Sequence, residues 1–177
     1  MIVSDNMMGC IDVIWFIRYC ILAVITLAAV FDDYRRYRIS NRIIIAGAIV
    51  GVVLGVAQVC AAVYIKQDAH EEIISICRMY ISGMAVALII SMVVYKLKGI
   101  GAGDVKLLAV AGLYIGPRDV LWLIGVSLAA GVVIGVIETV RNKEIKMISG
   151  VKLHKFHFSY AIMSGVVIMV CAGIMGR

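Results

Sequence analysis

A single proline, Pro117, and three histidines are all the chain holds of these residues, and only 16% of its 177 residues are charged. A soluble domain carries about 25% charged residues. The shortage of charge, with 63% hydrophobic residues and a mean hydropathy of +1.05, excludes an ordinary soluble domain and indicates a lipid environment. The five cysteines, Cys10, Cys20, Cys60, Cys77 and Cys171, form no C-x-x-C pair and have no histidine at ligand spacing. They therefore read as small core residues, with no metal site expected. The phosphate-loop pattern G-x-x-x-x-G-K-[ST] is absent, which removes the usual route to nucleotide binding. A net charge of +6 does not indicate nucleic acid, because the basic residues fall between apolar runs rather than along one polar face. The opening "MIVSDNMMGC" lacks a positive n-region and a small-residue cleavage site, so the first apolar run is expected to be retained.

What the chain has is apolar length. Runs at about Val13 to Phe31, Ile43 to Ile65, Ile73 to Tyr95, Val105 to Ile115, Val120 to Val140 and Phe156 to Met175 leave short polar breaks between them. Crossing a bilayer takes roughly 20 helical residues, and lipid cannot satisfy exposed backbone groups, so these runs are expected to be helices. The expected fold is all-α: a single polytopic membrane domain over residues 1–177 with about six transmembrane helices. Glycine and alanine recur in "GAIVGVVLGVA" and "GVSLAAGVVIGV", where small side chains would let helices approach closely. The fourth run is short. It gains length if its helix begins near Ala102, and "GPRD" at 116–119 should end it in a turn, because Pro117 breaks a helix and Gly116 is permissive.

Lysine and arginine count the sides of the membrane, since cytoplasmic loops hold the excess. The breaks after the first, third and fifth runs carry twelve, including Arg35, Arg36, Arg38, Arg42, Lys96, Lys98 and Lys106; the other side carries five: Arg18, Lys66, Arg78, Arg118 and Arg177. Arg18 and Arg78 lie near enough to span ends to snorkel outward. Both termini are then expected outside, with "DDYRRYRISNR" and "KGIGAGDVK" together at the cytoplasmic face.

That places Asp32 and Asp33, closing the first run, beside Asp104, opening the fourth. Ionisable groups at membrane depth are expensive and are functional candidates by default, although an acid at a helix end also serves as a cap. Two carboxylates a few ångströms apart do not both ionise cheaply; one keeps a proton near neutral pH while the other acts as a base on a shared water. Such a pair hydrolyses amides with no metal or cofactor. Glycines ahead of Asp104 would let a substrate backbone or a neighbouring helix come close.

The stretch "GAGDVKLLA", Gly101 to Ala109, resembles the G-x-G-D-x-K-L signature of type IV prepilin peptidases. A second segment is similar to the family's pattern of an Asp followed six residues later by Ile or Leu, then Pro, then Asn or Asp: here Asp33, Ile39, Ser40 and Asn41. This spacing selects Asp33 over Asp32. "FSYAIMSG", Phe158 to Gly165, resembles the late segment that opens the last helix, and Ser40 and Ser159 stand where the family usually has proline.

The resemblance implies a six-helix aspartic protease that removes the basic leader of prepilins or pseudopilins at the cytoplasmic face of the inner membrane. Asp33 and Asp104 would be catalytic, with Gly101, Gly103, Lys106 and Asn41 binding substrate or shaping the site. No C-x-x-C motif accompanies them, so a methyltransferase domain is not expected, as in the short peptidase-only branch that serves tight-adherence pili. Lys106, two positions beyond Asp104, points about 200° away on a helix and is expected to be an interfacial cation. Glu138 and Glu144 are the acidic candidates for meeting a basic leader, and His154 and His157 are expected to be interfacial. The alternatives are another G-x-G-D intramembrane protease, or a small proton or cation transporter using the same acids.

Overall fold

The computed structural model describes residues 2–36, 38–65, 70–141 and 158–175. Their elements are helices: α1 Ile2–Arg36, α2 Asn41–Ile65, α3 His70–Lys96, α4 Ala102–Arg141 and α5 Phe158–Met175. The all-α expectation holds for the described residues. Three of these helices, over Asn41–Tyr64, His70–Lys96 and Ala102–Ile137, are long and apolar enough to cross a membrane, and Phe158–Cys171 is a shorter apolar helix. Phe31, Ile49, Val53, Ile89, Trp122 and Val132 lie exposed on the outside of the bundle, as a lipid-facing surface requires.

α4 begins at Ala102, the start that lengthens the fourth run, and its helical path breaks at Gly116, whose φ of 81° and ψ of 179° suit a residue without a side chain. The following Pro117 disfavours helical geometry at the residue before it and is itself suited to a helix start. The break reverses the chain. Asp119 lies 15 residues beyond Asp104, about 22 Å at 1.5 Å per residue, and its carboxylate accepts a 2.9 Å hydrogen bond from Tyr19, a similar distance up α1 from Asp33. A Cβ on Gly165, only six residues into α5 from Ser159, would meet Ser127 at 2.8 Å. Residues 117–127 must therefore descend again toward the end that holds Asp33, so α4 is two antiparallel arms, 102–115 and 117–141.

The core sits around the first arm, where Leu107, Leu108, Ala111 and Tyr114 are essentially fully buried. Arm 102–115 packs most closely on α3, where Gly112 and Gly116 face Gly83 and Ala87; a Cβ at Gly83 would collide with the Gly112 carbonyl oxygen. The small-xxx-small pairs in "GMAVA" and "GLYIG" bring the two backbones together. On the far side, a Cβ at Gly51 would press on Leu113 and Tyr114, and Tyr114 donates its hydroxyl to the Gly47 carbonyl of α2 at 2.7 Å.

Three expectations are corrected. Gly125 and Gly135 of "GVSLAAGVVIGV" have nothing within 4 Å of an added Cβ, so they do not serve close packing. Cys20, Cys60, Cys77 and Cys171 are exposed rather than core residues; a small apolar thiol suits a lipid-facing surface as well as an interior. Arg18 does not snorkel. α1 extends to Ile2, so Arg18 lies well inside the helix, 1% exposed, with its guanidinium 4.6 Å from the centre of the Tyr80 ring and Nη1 4.0 Å from the Met79 sulfur. Stacking on an aromatic face replaces hydration for the delocalised cation. The Cys10 side chain, Glu138's side chain, Glu144, His154 and His157 lie outside the described residues.

Candidate active site

The connection from α3 to α4 is two helix caps back to back. At the end of α3, Gly99 N–H donates to the Val94 carbonyl and Lys98 N–H to the Tyr95 carbonyl, the paired bonds of a Schellman ending. Lys98 occupies the left-handed position at φ 60°, where glycine is usual. Ile100 is buried, and Gly101 then starts α4: its carbonyl accepts from Val105 N–H while its own N–H donates to Asp104 Oδ2 at 3.1 Å. An acid at the third helical position reaching back to the cap is half of a capping box, and it sits at the positive end of the helix. Asp104 is 8% exposed.

Asp33 approaches from the last turn of α1, and the two carboxylates are near enough for the Asp33 charge to act on Asp104. Asp33 Oδ2 accepts a 2.6 Å hydrogen bond from Ser159 Oγ on α5. Its neighbour Asp32 is engaged elsewhere: Oδ2 accepts from Ser40 N–H at 2.8 Å, and Oδ1 lies 3.2 Å from Arg36 Nε. Ser40 Oγ in turn accepts from Arg42 N–H, capping α2. Adjacent helix positions diverge by about 100°, so one acid ties down the α1–α2 turn while the other turns toward α4 and α5.

The two sequence segments interlock at two levels: a Cβ on Gly103 would lie 3.2 Å from Ile39 Cβ, and Lys106 Nζ donates to Asn41 Oδ1 at 3.0 Å. Gly103 accommodates Ile39, and a Cβ on Gly101 would lie 3.1 Å from Asp104's own carboxylate oxygen. The part of Ser159 is not legible in the sequence, where it stands only as a departure from proline. At both departures the serine donates to an acid of α1, Ser40 through its N–H and Ser159 through its hydroxyl, and proline has neither donor.

On the exposed face of α1, an apolar groove of about 630 Å³ is lined by Val24, Leu27, Ala28, Phe31 and Tyr34 and by Tyr160 of α5. Among the described residues, no three His, Cys, Asp or Glu side chains gather as a metal would require.

Helices long and apolar enough to cross a bilayer indicate a membrane protein, in which Asp33 ends α1, Asp104 opens α4 and Ser159 opens α5. Residues 20–137 match the model of the type IV leader peptidase family, and the chain belongs to that family. It is therefore a leader peptidase in general character. No curated protein and no solved structure matches the chain.

Proposed function

We propose that the protein is an aspartic endopeptidase that removes the basic leader from prepilin or pseudopilin substrates at the cytoplasmic face of the cell membrane, with Asp33 and Asp104 as its dyad. The observation that carries this reading is that two acids 71 positions apart, one of them buried, lie within electrostatic reach of each other. One carboxylate of such a pair takes a proton from water as it attacks the scissile carbonyl, while the protonated partner polarises that carbonyl and later supplies the proton to the leaving amine. Six spanning helices, the two arms of α4 counted separately, and both termini outside complete the proposed topology. The lysine and arginine asymmetry puts the dyad end in the cytoplasm.

The groove along α1 supplies apolar surface for a hydrophobic stem, and Lys106 and Asn41 brace the entry of α2 against α4. No cofactor enters the scheme. The test is cleavage of a tight-adherence prepilin by purified protein in detergent. Asp33→Asn and Asp104→Asn should each abolish product, and Asp32→Asn should leave most of it. Cleavage surviving Asp104→Asn would end the dyad proposal; loss confined to Asp32→Asn would move the base to the neighbouring acid.

A further inference from the structure

Hydroxyl groups in apolar helices usually bond back to a carbonyl three or four residues earlier on the same helix. Thr26, Ser82, Ser91 and Ser164 all do so. Ser159 does not. Its side chain is completely buried, and its hydroxyl crosses to α1 to reach Asp33, 126 positions earlier in the chain. The 2.6 Å separation falls among the short hydrogen bonds that hydroxyls make to carboxylates.

Asp33 itself is half-buried at a helix end, and its short side chain has more than one staggered rotamer open to it. An anchored donor on a second helix selects one. We propose that Ser159 is a positioning residue whose hydroxyl holds the Asp33 carboxylate in the rotamer that lies beside Asp104; the proposal rests on the dyad reading above. Ser159 touches no substrate in this role. Its removal therefore leaves binding intact and spoils the geometry of attack, for which a displacement of about 1 Å is enough to lose about 100-fold in rate.

The experiment is steady-state cleavage of the prepilin by Ser159→Ala and Ser159→Thr, with Asp33→Asn run in parallel and melting followed in the same detergent. The expected result is a kcat lowered about 10- to 100-fold in Ser159→Ala with KM unchanged, and substantial recovery in Ser159→Thr, which keeps the hydroxyl. Should Ser159→Ala fail to fold, Ser159→Cys makes the same comparison with a far weaker donor of similar size. An unchanged kcat in whichever of these folds overturns the positioning role while Asp33→Asn remains inactive. Activity in Asp33→Asn would instead bring down the dyad reading, and this proposal with it.

Discussion

Replacing Gly83 by alanine adds one methyl group where α3 and the first arm of α4 come together backbone to backbone. The new Cβ would collide with the Gly112 carbonyl oxygen and sit 2.8 Å from Gly116 Cα and 3.0 Å from its carbonyl carbon. All three atoms are backbone, so no side-chain rotation relieves them. Ordinary contact needs about 3.5 Å, and the whole arm 102–115 must back away from α3 to gain it. Overpacking of this kind costs about 1–3 kcal/mol, and a rigid backbone target puts Gly83→Ala at the upper end.

Against this stands the gain of about 1 kcal/mol that alanine brings over glycine inside a helix, so the net loss should be about 2 kcal/mol. For a chain of this size that is a fall of about 4–8 °C in melting temperature. Thermal unfolding of the purified protein in one detergent would measure it, with Gly125→Ala as control, since nothing lies within 4 Å of a Cβ there. The control should melt at or slightly above wild type. A Gly83→Ala protein as stable as Gly125→Ala would refute the close approach of α3 and α4. Because the displaced arm carries Asp104, leader cleavage should fall as well.

Two further outcomes follow from the site. Lys98→Gly places glycine at the left-handed end of α3 and should stabilise the protein by about 1 kcal/mol, read as a rise in melting temperature; a fall would show that the lysine side chain supports the turn. Ala28→Trp fills the groove beside α1 while leaving Asp33 and Ser159 in place, so it should raise KM for prepilin several-fold with little change in kcat. Unchanged KM would remove the groove from substrate binding.

The parts of this architecture that could be read from the chain are those written in short spacings. The start of α4 at Ala102 and the turn at Gly116 and Pro117 each depend on a few neighbouring residues with fixed conformational preferences. Contacts between distant segments left no such mark. Gly83 against Gly112 looks like any other glycine in a glycine-rich chain, and the bond from Ser159 to Asp33 joins residues whose separation follows only from helix packing. The outward cysteines escaped for another reason. In lipid both the core and the exterior are apolar, so hydrophobicity alone does not tell them apart.

The tie from Asp32 to Ser40 N–H and Arg36 also governs the azimuth of α1. A rotation of that helix by one residue would swing Asp33 away by about 100° and present its neighbour to α4, leaving an acid of the same chemistry on an unsuitable bearing. The tether to the α1–α2 turn opposes that rotation. Two adjacent aspartates thus act as a key and its stop: Asp32 limits how far the shaft can turn, and Asp33 is the tooth that Ser159 holds.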